Sequence, residues 1–366
     1  MRASCSAVPT WGKSSYALLL LFVITAMSLP AQTFTTLHNF DLTDGFEPVG
    51  ALVQTTAGAL YGSTEYGGTS SSCTYGCGTI FKITPSGTLT TLYSFCPQSG
   101  CTDGSYPYAG LIQATNGDLY GTTINGGANG YGTVFKITPS GTLTTLYSFC
   151  SQSGCTDGAN PYAGLVQAPK GNFYGTTLGG ALIVGCNKYG CGTVFEITPS
   201  GTLTTLYSFC SQSGCTDGDA PYAGLLQATN GDFYGTTSEG GANGFGTVFK
   251  IAPSGTMTTL HSFDSTDGAN PYAGLIQATN GDFYGTTNDG GTQNRGTVFK
   301  ITPGGTLTTL HSFHFTDGDY PFAGLVQATN GDFYGTTESD KANGDGTVFE
   351  ITPRGHSDHA VQLRLH

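Results

Sequence analysis

The chain has few charged residues and none of the common catalytic motifs. Asp, Glu, Lys and Arg make up only 10% of its 366 residues. It contains no GxSxG, HExxH, phosphate-loop or EF-hand motif and no Cys/His nucleophile arrangement. Beyond Gln32, no stretch has the apolar spacing of an amphipathic helix. These absences argue against the familiar hydrolases, zinc peptidases and nucleotide-binding enzymes, and against a helical fold.

Positive charge is scarcer still. The chain has 12 Lys and Arg against 24 Asp and Glu, which gives a formal net charge of −12. Nucleic acid and anionic membrane surfaces attract basic proteins, so this balance argues against both as partners.

The first 31 residues differ from the rest of the chain. Arg2 and Lys13 stand ahead of an apolar run from Tyr16 to Met27, and Ser28-Leu29-Pro30-Ala31 follows. This order is typical of a signal peptide that is cleaved after a small residue. An uncleaved membrane anchor is the alternative, but the run is short of the roughly 20 residues needed to span a bilayer. We predict a signal peptide at 1–31 and an exported protein, secreted or cell-surface associated, with no membrane span after cleavage.

One pattern of four phrases then repeats six times between Gly50 and Pro353. In the second copy the phrases are AGLIQAT (109–115), DLYGTT (118–123), GTVFKIT (132–138) and TLTTLYSF (142–149). A repeat of 50 to 60 residues in which each unit packs on its neighbours predicts one domain, at 32–355, rather than several. Glycine is abundant, at 57 residues, and the apolar residues are mainly β-branched, aromatic or Leu, as in strands.

Two tight turns divide each repeat into four strands. Asn-Gly pairs such as Asn116-Gly117 lie between the first two phrases and favour a hairpin turn. Pro-Ser-Gly or a variant joins the last two phrases. The resulting unit is a four-stranded antiparallel blade, and six such units predict an all-β fold, a six-bladed β-propeller. The copy of the last phrase that should follow Pro353 is missing, and a matching phrase stands at 33–40. We predict that strand 33–40 pairs with the last blade and closes the ring.

The cysteines come in close pairs inside inserted loops. Where a repeat lacks a pair, its loop is shorter, as in SFDSTDG (262–268) beside SFCSQSGCTDG (208–218). Local disulfides explain this better than zinc, because no histidine is nearby and the pairs do not group by fours in sequence. The predicted disulfides are Cys73 with Cys77, Cys96 with Cys101, Cys150 with Cys155, Cys186 with Cys191, and Cys210 with Cys215. No metal ligand is predicted. Strand alternation places all five pairs on one face of the ring, which we take as the binding face.

Two repeated features of that face are candidate ligand contacts. A ring of carboxylates and aromatics at the channel mouth would hold a cation or stack on a sugar. Identity in every repeat favours the other interpretation, in which Asp-Gly forms the turn and the aromatic ring packs between blades. No cofactor is predicted, and calcium stays open as a ligand of the acidic ring. The aspartates are Asp44, Asp103, Asp157, Asp217, Asp267 and Asp317, and the tyrosines are Tyr108, Tyr162, Tyr222 and Tyr272.

Catalysis would need residues that break the symmetry. The weak candidates are Glu65, Glu239 and Glu338, which lie in the second loops of their repeats and are not shared between blades. Nothing in the sequence pairs them, so an enzyme is disfavoured. The first hypothesis is a non-catalytic extracellular binding or scaffold module, a monomer whose loop face meets a carbohydrate or surface protein. The second is a propeller polysaccharide hydrolase or lyase that uses two converging carboxylates.

The repeated phrases resemble a known bacterial family. YGTT, a Gly-Gly loop, GTVFKITPSGTLTTLYSF and DGxxPYAGL together are similar to the GloVer-containing tandem-repeat proteins, over about residues 33 to 355. The resemblance implies an exported or surface-displayed β-propeller-like repeat protein, and it brings no catalytic residues with it. The irregular tail at 356–366 departs from the pattern, because it has neither a membrane segment nor a sorting motif. Whether that tail is native or truncated stays open.

Overall fold

The structure is a computed structural model in which the chain divides into two units after Thr36, and the second unit begins at Leu37. All strands belong to the second unit. The predicted signal peptide and the predicted tail lie outside the described residues. The residues that the structure describes are 34–55, 58–181, 186, 190–339 and 344–352.

The second unit is built from six antiparallel sheets, and the described residues contain no α-helix. Five sheets have four strands in sequential order and the sixth has three. The strands of the first three sheets are β1 Val53–Gln54, β2 Leu60–Thr64, β3 Thr79–Ile83, β4 Leu89–Ser94, β5 Ile112–Gln113, β6 Leu119–Thr123, β7 Thr133–Ile137, β8 Leu143–Ser148, β9 Val166–Gln167, β10 Phe173–Thr177, β11 Thr193–Ile197 and β12 Leu203–Ser208. Those of the last three are β13 Leu226–Gln227, β14 Phe233–Thr237, β15 Thr247–Ile251, β16 Met257–Ser262, β17 Ile276–Gln277, β18 Phe283–Thr287, β19 Thr297–Ile301, β20 Leu307–Ser312, β21 Val326–Gln327, β22 Phe333–Thr337 and β23 Thr347–Ile351.

The middle strands of each sheet carry the core. In β7, Val134, Phe135 and Ile137 are fully buried. The glycine of YGTT makes room for this phenylalanine: a Cβ at Gly121 would lie 2.6 Å from Cζ of Phe135, closer than real carbon contacts allow. The same relation recurs in all six sheets, so the glycine is a packing requirement of the repeat.

Each sheet packs on the next through aromatic side chains. Phe95, at the end of the first sheet, meets Phe135 of the second edge-on, with ring centroids 5.3 Å apart. Tyr120 of the second sheet stacks on Phe173 of the third at 4.1 Å. The described residues form five apolar clusters, and each is shared by two consecutive sheets. Full burial of one such ring contributes about 1.5–3 kcal/mol, so the rings buried at each junction between sheets stabilise the fold.

The first strands of the sheets converge on one axis. Gly164 lies beside the carbonyl oxygen of Gly110, and Gly224 lies beside that of Gly164. Side chains two repeats apart also meet, because the rings of Tyr108 and Tyr222 are 6.5 Å apart. Strands that contact both the next repeat and the one beyond it must point toward a common centre. The arrangement of the described sheets is therefore propeller-like.

The closing pairing predicted for 33–40 is not observed. Residues 34–40 have no strand assignment, and within the described part of the chain the sixth sheet ends at β23. Leu37 nevertheless has its carbonyl beside Gly87, as Leu92 has beside Gly141. Phe40 also meets Phe81 edge-on at 5.1 Å, in the same way that Phe95 of the first sheet meets Phe135 of the second. Residues 37–40 thus make the contacts of an outer strand with the first sheet.

Candidate functional site

Two kinds of loop meet on one side of the sheets. The second loop joins the second and third strands of a sheet, and the crossover loop joins its fourth strand to the next sheet. Ser105 of a crossover loop and Asn125 of a second loop exchange backbone hydrogen bonds of 2.8 and 3.1 Å. The corresponding residues of every other repeat are also bridged. We call this surface the loop face.

The five disulfides pair as the spacing predicts. They lie in the loops of the loop face, and both second-loop disulfides contact the crossover-loop disulfide of the same repeat. The sulfurs of Cys73, Cys77 and Cys101 lie within 4.8 Å of one another. Pairs that are separate in sequence are therefore adjacent in space, where they stiffen the two loops together.

The repeated aspartates are bound by the end of the outer strand. Asp217 accepts hydrogen bonds from the Tyr207 hydroxyl at 2.7 Å and from the Ser211 amide at 2.9 Å. In a repeat with a short crossover loop, Asp267 pairs instead with Nε2 of His261 at 2.7 Å. Tyrosine thus accompanies the long cysteine loops and histidine the short ones, and this alternation is visible in the sequence. This alternation could have predicted the hydrogen bond between the outer-strand Tyr or His and the repeated aspartate, and the sequence analysis did not use it.

Both burial and hydrogen bonds act on the side chains of the repeated aspartates. Asp157 and Asp217 are fully buried. Burial works to raise the pKa of Asp317, but hydrogen bonds from His311 and the His314 amide hold that pKa below its usual value. The aspartates therefore hold the crossover loops, and ligand binding by them stays a prediction.

The predicted tyrosines form a cluster at the axis. Ring centroids of Tyr108 and Tyr162 are 5.6 Å apart, those of Tyr162 and Tyr222 are 5.0 Å apart, and those of Tyr222 and Tyr272 are 5.5 Å apart. Phe322, in the same position of the sixth repeat, stacks on Tyr272 at 5.3 Å. Burial and a hydrogen bond with Tyr108 raise the pKa of Tyr222, so its hydroxyl stays protonated at neutral pH.

A cavity of about 430 Å³ opens beside this cluster. Three of the tyrosine rings form part of its wall, and polar side chains of the second and crossover loops form another part. Asn160 is held in place there by hydrogen bonds to the Ile124 carbonyl at 3.0 Å and to Oδ1 of Asn125 at 3.1 Å. The lining residues are Ile124, Asn125, Asn160, Tyr162, Leu178, Gly179, Ala220, Tyr222, Ser238, Glu239 and Tyr272.

The three candidate glutamates have separate surroundings. Glu239 lines the central cavity. Glu338 lines a shallower one with Phe322 and Thr336. Glu65 lies in the first repeat, where burial raises its pKa. Each belongs to a different repeat and has different neighbours.

Sequence reasoning missed a carboxylate beside the cavity. Asp219 is only 8% exposed, and its Oδ1 has no hydrogen-bond partner among the described residues. Burial, with a smaller contribution from the charge of Glu239, raises the pKa of Asp219 to about 6. In the same position of the sixth repeat, Asp319 pairs with Nη1 of Arg295 at 3.1 Å and also accepts from Ser339. The place of Arg295 is taken by Cys191 beside Asp219, which leaves that carboxylate without a cationic partner.

The chain belongs to a bacterial repeat family. Residues 22–216 and 183–363 match the Gloeobacter/Verrucomicrobia repeat, which confirms the resemblance drawn from the repeated phrases. No curated protein matches its sequence.

Solved structures of similar fold are distant in sequence. The periplasmic gluconolactonase PpgL of Pseudomonas aeruginosa is 18% identical with a TM-score of 0.55, over 86% of this chain and 84% of that one. A puromycin-hydrolyzing peptidase of Mycobacterium tuberculosis is 11% identical with a TM-score of 0.51, over 89% of this chain and 48% of that one. These likenesses support the propeller-like fold alone.

Among the described residues, no helix is long and apolar enough to cross a membrane.

Proposed function

We propose that the protein is an exported, non-catalytic binding module that takes an extracellular saccharide into the central cavity of its loop face. The observation that carries this proposal is the cavity lined by Tyr162, Tyr222 and Tyr272 together with the amides of Asn125 and Asn160.

The composition of the wall suits a sugar. Aromatic rings pack against the C–H faces of a pyranose, while fixed amides and a carboxylate bind its hydroxyls. The volume of about 430 Å³ falls in the range of small-molecule sites, about 300–1,000 Å³. Glu239 adds one exposed acceptor at the rim.

The proposed scaffold is a closed six-bladed propeller. We take 33–40 as the outer strand of the last blade, because residues 37–40 already contact the first sheet as an outer strand does. His38 also pairs with Asp44 at 2.7 Å, the same pair that ends the outer strand at His261. The signal pattern and the five disulfides support export to an oxidising compartment. The module is proposed to act as a monomer, released or surface-attached.

Glycan binding tests this function directly. Purified protein is screened on a glycan array with and without calcium, and hits are measured by calorimetry. Tyr272→Ala should weaken binding about tenfold, roughly 1.4 kcal/mol, because one stacking wall is lost. Glu239→Gln should weaken it less, and Glu338→Gln, an exposed carboxylate outside the central cavity, is the matched control. Absence of any glycan binding, or equal effects of the two glutamine variants, would contradict the proposal.

A second candidate is a polysaccharide hydrolase or lyase at the same cavity. Asp219, with its pKa raised to about 6, and the neighbouring Glu239 differ in environment as an acid and a base would. Release of reducing ends or unsaturated sugars from a bound polysaccharide, lost in both Asp219→Asn and Glu239→Gln, would favour this reading. Binding without product release favours the module.

A further inference from the structure

Three aromatic rings lie close together on the loop face of the first repeat. Phe46 lies in the segment before β1, and Tyr66 and Tyr75 lie in the second loop. Their ring centroids are 6.2, 6.4 and 6.5 Å apart, so the three rings form a nearly equilateral triangle. Tyr106 of the next crossover loop packs edge-on against Tyr66 at 5.3 Å. We call Phe46, Tyr66 and Tyr75 the three-ring site.

The repeat does not require aromatic side chains at Phe46 and Tyr66. Phe46 and Tyr66 form a bridged pair that recurs in every repeat, but elsewhere the pair is small or polar. The five other pairs are Ser105 with Asn125, Ala159 with Gly179, Asp219 with Glu239, Ala269 with Asp289, and Asp319 with Ser339. Phe46 is 40% exposed and Tyr75 is 60% exposed, so the rings face solvent rather than a core. Large exposed aromatics at two positions where the other repeats carry small or polar residues indicate recognition.

The spacing of the rings fits a cation. A point roughly 3 Å above the plane of the centroids lies about 5 Å from each of them, within the roughly 6 Å over which a cation interacts with a ring face. The rings are tilted by 48°, 50° and 87° to one another, so they form walls instead of a stack.

Negative charge surrounds the same site. The Tyr66 hydroxyl hydrogen-bonds Glu65, and burial, that bond and the charges of Glu65 and Glu47 raise the pKa of Tyr66 to about 12. These carboxylates favour a cationic guest and disfavour an anionic one.

Elsewhere in the loops of the loop face, the chain places a cation of its own against aromatic rings. At the junction of the fifth and sixth repeats, the guanidinium of Arg295 lies 3.6 Å from the ring centroid of Phe315 and 5.2 Å from that of Tyr320. Tyr320 occupies the position that Tyr106 has beside the three-ring site, and Cys77 stands where Arg295 would be. Among the described residues, no lysine or arginine lies over Phe46, Tyr66 or Tyr75.

Backbone hydrogen bonds and a disulfide hold the segments that carry the three rings in place without a ligand. Phe46 and Tyr66 exchange backbone hydrogen bonds of 2.9 and 3.0 Å. The Gly67 amide donates to the Tyr75 carbonyl at 2.7 Å, and the Cys73–Cys77 disulfide encloses Tyr75 in a short ring. A site fixed in this way loses little conformational entropy on binding.

We propose that Phe46, Tyr66 and Tyr75 form an aromatic cage for a methylated ammonium group, with Glu47 and Glu65 supplying the opposite charge. None of the three rings lines the central cavity. A guest of this chemistry is a trimethylammonium group, carried by a choline headgroup or by a methylated lysine.

Titration with choline and with its neutral isostere 3,3-dimethylbutanol tests the cage. Binding is followed by NMR or calorimetry on the purified, disulfide-bonded protein. Choline should bind at least tenfold more tightly than the isostere, because only the cation interacts with the ring faces. Equal affinities, or no choline binding at all, would overturn the proposal. Phosphatidylcholine vesicles and a trimethyllysine peptide then distinguish the two sources of the group.

Matched variants locate the site. Tyr75→Ala should lower choline affinity at least tenfold and Tyr75→Phe should retain it, while Glu65→Gln should lower it severalfold. Tyr131→Ala removes an exposed tyrosine from the corresponding loop of the second repeat and should have no effect. Circular dichroism confirms that each variant is folded. Choline binding that survives Tyr75→Ala, or is lost equally in Tyr131→Ala, would refute the assignment. Saccharide binding at the central cavity should be unchanged in the three variants at Tyr75 and Tyr131, so the two proposals fail separately.

Discussion

Replacing Phe40 by alanine should destabilise the six-sheet unit if residues 33–40 are the outer strand of a closed ring. The ring of Phe40 meets Phe81 edge-on at 5.1 Å, as Phe149 meets Phe195 at 5.2 Å. Phe149 is fully buried, and its removal should cost about 3–5 kcal/mol. Phe40 is less completely buried than Phe149, so a smaller cost of roughly 2 kcal/mol is expected from lost burial and the lost ring pair.

Urea unfolding of the wild type and of Phe40→Ala, Phe149→Ala and Phe34→Ala measures these differences. Phe34 is 95% exposed in the same segment, so its replacement should change the free energy of unfolding by less than about 0.5 kcal/mol. If Phe40→Ala costs no more than Phe34→Ala, the segment contributes nothing to the sheets and the closure argument is refuted.

Two further predictions concern the buried aspartates. Because the pKa of Asp219 is raised to about 6 in the fold, the folded state binds the proton more tightly than the unfolded state, so stability should fall by about 2 kcal/mol as pH rises from 4 to 7. Asp219→Asn should remove this part of the slope in unfolding experiments at several pH values, and an unchanged slope would contradict the shift. Arg295→Ala should cost about 3–5 kcal/mol at neutral pH because it leaves Asp319, whose side chain is 4% exposed, charged and unpaired. The added change Asp319→Ala should recover much of that loss in the same assay, and no recovery would show that the guanidinium stabilises by packing alone.

The strand pattern of the repeat could be predicted because its turns are local. Gly117 has φ of +86°, as a turn glycine needs, and its hairpin joins β5 and β6 where the Asn-Gly pair predicts it. The inner strands were less predictable. The phrase 109–115 suggests seven residues, but β5 contains only Ile112–Gln113, because the preceding Gly110 packs against Ala51 of the neighbouring repeat instead of pairing within its own sheet.

The candidate site could be predicted only where it repeats. The axial tyrosines follow from their fixed place before each inner strand. The isolation of Asp219 depends on which residue the preceding second loop places against it, and the three-ring site depends on a bridge between two loops about 20 residues apart. Those contacts arise from tertiary packing, so no local pattern carries them.

The sharing of every apolar cluster between consecutive sheets has a consequence for how the chain acquires its structure. A single repeat cannot bury its own phenylalanines, since the partner rings arrive with the next stretch of polypeptide. During synthesis each sheet must wait for its successor, and the smallest piece that completes one apolar cluster is two repeats long.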